Sequence, residues 1–152
     1  MSKIRVVCPH CTAVNTLPAD RLGDGPSCGK CKKALFHGQP AKLSGSTMQR
    51  HIASNGIPLL VDFWAPWCAP CRAMAPAFER AAVQLEPHVR FAKLNTEDEQ
   101  STGARFGIRS IPTMVLFSEG REIARRSGAM QTGEIVNWVQ SSLQNGSAGG
   151  KT

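Results

Sequence analysis

The placement of the cysteines constrains this chain most, because close thiol pairs commit a chain to a metal site, a redox site or a disulfide framework. All six cysteines belong to C-x-x-C pairs, and none is left over. A disulfide framework is typical of small exported proteins, whereas the N-terminus here lacks the apolar segment of a secretory signal. We therefore expect a cytoplasmic protein with metal or redox chemistry at the three pairs Cys8/Cys11, Cys28/Cys31 and Cys68/Cys71.

The first two pairs fall in residues 1–38, a segment that is poor in apolar residues and rich in glycine and proline. A segment below about 40 residues rarely folds by itself without a metal or disulfides. The spacing C-x2-C-x16-C-x2-C lies in the range of zinc sites, and four thiolates close the tetrahedron around a structural zinc ion. The sequence thus predicts a zinc ribbon in which one structural Zn²⁺ is bound by Cys8, Cys11, Cys28 and Cys31.

Other interpretations of these four cysteines are two local disulfides, free thiols, or a redox-sensing site that releases zinc on oxidation. His10 lies inside the first pair and is expected to be exposed, because four thiolates leave no position for it on the metal. The remaining histidines show no partner spacing and are expected at the surface: His37, His51 and His88.

The net charge of +7 is concentrated in the first 45 residues, where seven Lys or Arg residues face two Asp residues. A zinc ion with four thiolates carries two negative charges, so part of the basic excess offsets the predicted metal centre. A nucleic-acid role is not expected, because the segment has one aromatic residue, Phe36, and base stacking normally needs more. No membrane association is expected either, since no apolar run approaches the roughly 20 residues of a membrane-spanning helix.

Residues 39–145 have the composition of an ordinary domain, and the Gly/Ser-rich residues 146–152 are expected to form a disordered tail. Apolar periodicity predicts the order βαβαβαββα, which implies a mixed sheet with helices on both faces. The expected strands span residues 40–44, 57–65, 89–95, 113–117 and 122–127, and the expected helices span residues 46–54, 69–85, 96–106 and 131–143.

Several residues predict how these helices begin and bend. We expect Ser46 or Thr47 to cap the first helix, and Thr96 to open the third with acidic residues in its first turn. Pro76 should kink the second helix. The last helix is amphipathic, with an apolar side formed by Ile135, Val136, Trp138, Val139 and Leu143.

The third cysteine pair lies where a buried strand leads into a helix. Cys68 is expected at the helix N-terminus, with Cys71 three residues later on the same face. That separation suits a disulfide, whose Cα atoms are usually about 4.4–6.8 Å apart. The free N–H groups and partial positive charge of a helix N-terminus favour a thiolate at Cys68, and Pro70 is tolerated in the first helical turn.

Residues on both sides of this pair follow the pattern of one known family: Asp62, Trp64, Trp67, Pro76, Lys93 within residues 91–95, residues 105–113 with Pro112, and Gly128. On these positions the region closely resembles the thioredoxin family, and with the two-pair module attached the chain resembles the zinc-containing bacterial members. The resemblance implies a thioredoxin fold, an α/β fold with a mixed central sheet flanked by helices, preceded by a small four-cysteine zinc ribbon. One departure is Ala69, where the family usually has glycine, and this position influences the reduction potential.

The resemblance also implies a mechanism of protein-disulfide reduction. Cys68 attacks a substrate disulfide, and Cys71 then resolves the mixed disulfide. Asp62, whose pKa burial should raise, accepts the proton of Cys71, and Lys93 tunes Asp62. We keep open that Asp62 is a satisfied structural acid and that Lys93 is an ordinary strand lysine. The substrate is expected to lie on Trp67, Ala69, Pro70, Ile111, Pro112 and Gly128, with the Ile111–Pro112 bond cis.

The implied partners are a separate NADPH-dependent thioredoxin reductase and disulfide-containing client proteins, with the protein itself a monomer. No nicotinamide or flavin is expected on this chain, because it contains no G-x-G-x-x-G fingerprint. Two other functions remain as alternatives. A disulfide oxidase or isomerase would have a potential near about −120 mV instead of about −270 mV. A zinc-dependent holdase or binding module would act without Cys68 and Cys71.

Overall fold

The computed structural model describes the backbone of residues 2–149 and the side chains of residues 2–145. A short 3₁₀ turn, Ala19–Arg21, follows the second strand. In chain order the elements are β1 (Lys3–Val7), β2 (Val14–Pro18), β3 (Ala41–Leu43), α1 (Gly45–Ser54), β4 (Leu59–Trp64), α2 (Ala69–Leu85), β5 (Arg90–Asn95), α3 (Gln100–Arg105), β6 (Thr113–Ser118), β7 (Arg121–Ser127) and α4 (Thr132–Gly149).

Five strands form the central sheet, in the order β3-β5-β4-β6-β7. The first three are parallel, because helical connections return the chain to the same edge, whereas β6 and β7 form an antiparallel hairpin. In the register, Asp62 of β4 lies beside Lys93 of β5 and opposite Met114 of β6. This is the mixed sheet that the sequence predicted.

Helices cover both faces of this sheet because side chains alternate along its strands. Leu60 of β4 packs in one cluster with α2 and α4 residues such as Phe78 and Ile135. Val61 and Phe63 point to the other face and join Ile52 of α1. The expected apolar side of α4 is confirmed, since all five of its residues belong to the first cluster or pack against it.

The start of α1 differs from the prediction. The helix begins at Gly45, and its cap is Ser44 rather than Ser46 or Thr47. The Ser44 hydroxyl accepts the N–H of Thr47 at 3.3 Å, while the Thr47 hydroxyl accepts the N–H of Ser44 at 2.8 Å. Thr47 thus belongs to the capping box as its third helical residue, a position that a run of hydroxyl residues disguises in the sequence.

The start of α3 also differs, because the helix begins at Gln100 and not at Thr96. The N–H and hydroxyl of Thr96 both donate to the carbonyl of Trp64, at 2.8 and 3.0 Å. The Asn95 side chain accepts the N–H of Glu97 at 2.9 Å. These bonds hold the chain in a turn after β5, so the predicted cap was wrong.

At the C-terminus, α4 continues to Gly149, whereas the sequence predicted a disordered tail from residue 146. Gly and Ser weaken a helix by up to about 1 kcal/mol each, but an established helix extends at one hydrogen bond per residue. The part of the predicted tail at residues 150–152 lies outside the described residues. Within residues 2–149, none of the helices is long and apolar enough to cross a bilayer.

The N-terminal segment, called the ribbon below, contains an antiparallel hairpin of β1 and β2 that was not predicted from the sequence. Its signal is the alternation of apolar and polar residues from Lys3 to Val7. Val6, Leu22 and Leu35 form a small core with the buried cysteines, and Ile57 from the main domain packs into the same core. The ribbon is therefore docked on the main domain.

Candidate redox site and metal centre

The third cysteine pair lies directly after β4, where the chain turns into α2. Cys68 is the N-cap residue, and its sulfur accepts the backbone N–H of Cys71 at 3.2 Å. The two residues form a disulfide, with Cα atoms 5.2 Å apart. Pro70 stands in the first turn, where its missing N–H costs no intrahelical bond. The predicted position of both cysteines is confirmed.

The disulfide is largely buried, but its surroundings open to solvent. Cys68 is 5% exposed and packs with Ala65 and Ile111, whereas the neighbouring Trp67 is 67% exposed. An exposed indole beside a buried disulfide gives a flat apolar surface on which another chain can lie. Ala69 and Pro70 are also exposed.

The second wall of the site comes from the loop before β6. The Ile111–Pro112 bond is cis, as predicted. The carbonyl oxygen of Ile111 lies 3.8 Å from the sulfur of Cys68. Gly128 donates its N–H to the carbonyl of Pro112 at 2.9 Å with φ +96°, a conformation that favours glycine. The predicted groove residues thus come together from separate segments of the chain.

A cleft of about 340 Å³ continues the groove beyond Trp67, and two of its residues, Trp67 and Ile111, were predicted as part of the substrate surface. Its walls come from α3 and the loop after it, which are distant from the cysteines in sequence. The lining within residues 105–113 belongs to a segment that resembles the family, whereas no motif marks the part that precedes it. The lining is formed by Trp67, Thr96, Gln100, Gly103, Ala104, Ile108, Arg109, Ser110 and Ile111.

Asp62 is buried in the middle of β4. It is 1% exposed, and within the described residues neither carboxylate oxygen has a hydrogen-bond partner. Burial raises the pKa of Asp62 to about 7, against a smaller lowering effect from Lys93. The carboxyl therefore changes its protonation state near neutral pH, as a proton acceptor for a thiol requires.

Lys93 lies beside Asp62 on the neighbouring strand. Its ammonium nitrogen is 4.3 Å from the centre of the Trp64 ring, a cation–π contact. Lys93 is half-buried, and its positive charge lowers the pKa of Asp62 against the larger effect of burial.

The other four cysteines converge within the ribbon. Their sulfur atoms all lie within 4.8 Å of one another, and sulfurs of opposite pairs approach to 3.7 Å (Cys8–Cys31) and 3.6 Å (Cys11–Cys28). A disulfide would need about 2.05 Å. Four thiolates at about 2.3 Å from a central ion lie about 3.8 Å apart in a tetrahedron. The four sulfurs therefore fit a metal ion, and in the structure all four cysteines are free, with no disulfide within either pair.

Backbone and side-chain donors support thiolates at this cluster. The N–H groups of His10 and Lys30 point at the sulfurs of Cys8 and Cys28, at 3.3 and 3.4 Å. The amide of Asn15, a residue that was not predicted from the sequence, donates to Cys28 at 3.5 Å. Hydrogen bonds from Cys31 and Asn15 hold the pKa of Cys28 well below its ordinary value, while burial raises the pKa of Cys8.

One predicted surface residue is not at the surface. His51 is 1% exposed, and its ring accepts or donates a hydrogen bond with the Asn55 side chain at 2.9 Å. Burial lowers the pKa of His51 to about 3. Its spacing of four residues from Asn55 on α1 is the only sequence signal for this pairing. As predicted, His10, His37 and His88 are exposed.

Comparison with known proteins gives matches over both parts of the chain. The family model described as Thioredoxin matches residues 39–141, and the model described as Thioredoxin 2, N-terminal, a zinc ribbon, matches residues 7–33. Thioredoxin C-3 of Corynebacterium nephridii is 42% identical over 139 residues, 91% of this chain and 95% of the relative.

Two further relatives match over the main domain. A thioredoxin of Haemophilus influenzae is 38% identical over 64% of this chain and 91% of its own length. The crystal structure of chloroplastic thioredoxin z has a TM-score of 0.65 at 26% identity, over 70% of this chain and 96% of that chain. With the redox pair in place between an exposed tryptophan and a cis-proline loop, the chain belongs to the thioredoxin family of thiol–disulfide oxidoreductases.

Proposed function

We propose that this protein is a general protein-disulfide reductase that receives its electrons from NADPH through a separate thioredoxin reductase. The observation that carries the proposal is the position of Cys68, whose sulfur caps α2 and accepts the N–H of Cys71. The same geometry that caps the helix stabilises a thiolate in the reduced protein.

In the first step, the Cys68 thiolate attacks one sulfur of a client disulfide. A Cys68–client bond forms, the client S–S bond breaks, and the second client sulfur leaves as a thiolate that takes up a proton. The exposed Trp67 and the carbonyl of Ile111 would hold the client chain beside Cys68. Pro112, Gly128, Ala69 and Pro70 would complete the binding surface.

In the second step, Cys71 gives its proton to Asp62 and attacks the sulfur of Cys68. The Cys68–Cys71 disulfide forms, the bond to the client breaks, and the remaining client sulfur is released as a thiolate. Two electrons have then moved from this protein to the client. Asp62 suits the role because its pKa of about 7 lets it accept a proton from a thiol near neutral pH.

We also propose that Cys8, Cys11, Cys28 and Cys31 bind one structural Zn²⁺, since the four thiolates leave no open position for a substrate. The division into a ribbon at residues 1–38 and a thioredoxin domain at residues 39–145 is part of this proposal. We further propose a reducing compartment such as the cytoplasm, because the metal needs its four cysteines as thiolates and not as disulfides. We also propose a monomer, because the client surface around Trp67 is exposed.

The proposal is tested by mixing the protein with NADPH, thioredoxin reductase and insulin and following NADPH oxidation. Cys68→Ser and Cys71→Ser are the matched pair, because both remove one redox sulfur. Both should reduce turnover to background, but only Cys71→Ser should accumulate a mixed disulfide with insulin. Full turnover by Cys68→Ser would overturn the proposal.

A further inference from the structure

Arg90, the first residue of β5, is a fully buried charge at the boundary between the ribbon and the thioredoxin domain. Its exposed fraction is 0%, and it is the largest of the fully buried side chains among the described residues. Arginine is almost never fully buried without compensation, because removing the guanidinium from water is costly. What surrounds Arg90 therefore decides what it does.

Most of the contacts of Arg90 are made with the ribbon. Its Nη2 donates to the carbonyl of Leu35 at 2.7 Å and to the carbonyl of Val7 at 3.3 Å. The guanidinium also lies 4.3 Å from the centre of the Phe36 ring. The carbonyl of Val7 is part of the peptide bond that joins Val7 to Cys8, and Leu35 lies four residues after the second cysteine pair. One side chain of the thioredoxin domain thus holds the bases of both metal-binding turns.

The thioredoxin domain supplies only part of the compensation for this charge. Glu86 lies 3.6 Å from Nη1 and is itself buried. Within the described residues, Nε and Nη1 of Arg90 have no hydrogen-bond partner. Burial lowers the pKa of Arg90, whereas Glu86 and then Cys8 raise it.

The metal centre supplies negative charge on the ribbon side. Zinc with four thiolates carries two negative charges, and Cys8 and Cys28 are buried at 0% and 1% exposed. The lysines near the second pair, Lys30, Lys32 and Lys33, are all exposed to solvent, which screens their charge. Among the described residues, Arg90 is the one fully buried arginine or lysine, and its guanidinium bonds to ribbon carbonyls from the side of the thioredoxin domain.

Other polar contacts show that this boundary is packed like a core. The N–H of Val7 donates to the side chain of Asn55 at 2.9 Å, and the N–H of Gly56 donates to the carbonyl of Arg5 at 2.7 Å. Ile57 is buried in the ribbon core. The two parts of the chain share hydrogen bonds and apolar surface, unlike domains joined by a linker.

We propose, on the basis of the structural Zn²⁺ proposed above, that Arg90 belongs to the metal site: it orients the two metal-binding turns and balances the charge of the metal–thiolate centre. Metal binding by the ribbon and folding of the thioredoxin domain are then a single cooperative event. The redox pair takes no part in this, because Arg90 lies beside Leu59 at the start of β4 whereas Cys68 follows the end of that strand.

The tryptophans make the test direct. All three, Trp64, Trp67 and Trp138, lie in the thioredoxin domain, so their fluorescence during unfolding reports that domain alone. A metal-sensitive dye reports the ribbon through zinc release. The full chain, reduced and loaded with zinc, is heated with both readouts, and a second sample is first stripped of zinc with a chelator.

We expect both readouts to give the same midpoint in the zinc-loaded protein, and removal of zinc to lower the fluorescence midpoint by several degrees. Arg90→Met should weaken zinc binding about 10- to 100-fold in chelator competition, the usual effect of a partner that orients metal ligands. Arg90→Lys should fall between Arg90→Met and the native protein, because lysine keeps the charge but cannot bond both carbonyls.

The matched control is Arg50→Met. Arg50 also donates to a ribbon carbonyl, that of Thr12 at 3.2 Å, but it is exposed. Its replacement should leave the zinc affinity within twofold of that of the native protein.

The inference is overturned if the zinc-stripped native protein unfolds at the same fluorescence midpoint as the zinc-loaded protein, a comparison that needs no variant. It is also overturned if Arg90→Met binds zinc as tightly as Arg50→Met. Insulin reduction below the midpoint should stay within twofold in every variant, which separates this test from that of the redox function.

Discussion

At the scale of single residues, the proposed chemistry depends on one buried carboxyl group, that of Asp62. The apolar strand around Asp62 predicted its burial and a raised pKa, and both are confirmed. Its role as proton acceptor for Cys71 remains a proposal.

Replacing Asp62 should change how stability depends on pH. With a pKa of about 7 when folded and 3.8 ordinarily, Asp62 keeps a proton in the folded protein that the unfolded chain releases between these values. Stability therefore falls as pH rises through this range, by up to about 4 kcal/mol. Asp62→Asn has no such titration, so its free energy of unfolding should rise relative to that of the native protein from pH 4 to pH 8. Urea unfolding of the two oxidised proteins at each pH measures this difference. Parallel pH curves for the two proteins would contradict this assignment.

Replacing Lys93 should move the pKa of Asp62 upward. The positive charge of Lys93 favours the carboxylate and so lowers the pKa that burial raises. In Lys93→Met the carboxylate loses this support, and the pH at which insulin reduction reaches half its maximum should rise. Lys42→Met is the control, because Lys42 lies beside Lys93 on β3 but is exposed. Equal pH profiles for the two variants would assign Lys93 to an ordinary strand position.

The residues that the sequence predicted are those with a local signal. Cys68 and Cys71 are marked by their spacing and by the strand before them, and Asp62 is marked by its apolar neighbours. Arg90 gave no such signal, because its partner Leu35 lies 55 residues away in the sequence. The burial of His51 was equally hidden, because it depends on how the ribbon packs against α1.

At the scale of elements, periodicity predicted the order of strands and helices after the ribbon and the start of α2, whereas it did not predict the starts of α1 and α3. Glu99 was expected in the first turn of α3, but its carboxylate accepts the N–H of Gly45 at 2.6 Å, at the start of α1. A helix N-terminus is satisfied here by an acid that lies 54 residues later in the chain. From the sequence, an acid is expected to stabilise the nearest helix, so the pairing of Glu99 with α1 could not be predicted.

Replacing Glu99 should therefore destabilise α1. Glu99→Gln keeps the shape but removes the negative charge from the helix N-terminus, and we expect a loss of about 1 kcal/mol in the free energy of unfolding. Glu97→Gln is the control, because Glu97 is exposed in the same turn. Urea titration monitored by circular dichroism measures both. A loss in Glu99→Gln no greater than in Glu97→Gln would show that this bond is not stabilising.

At the scale of the whole molecule, the two cysteine sites lie at opposite ends of the central sheet. The ribbon docks where β4 and β5 begin, at Ile57 and Arg90, and the redox pair follows the end of β4. The client surface around Trp67 is thus left clear of the ribbon. The composition and spacing of the cysteines predicted two kinds of site, but their placement follows from side-chain contacts across the chain.

The division of the six cysteines into four for a metal and two for electrons is the central claim, and counting thiols and zinc tests it most directly. The fully reduced, zinc-loaded protein is oxidised with a disulfide substrate, and free thiols and bound zinc are measured before and after. We predict the loss of two thiols, at Cys68 and Cys71, and one zinc ion per chain throughout. Loss of more than two thiols together with release of zinc would contradict the account.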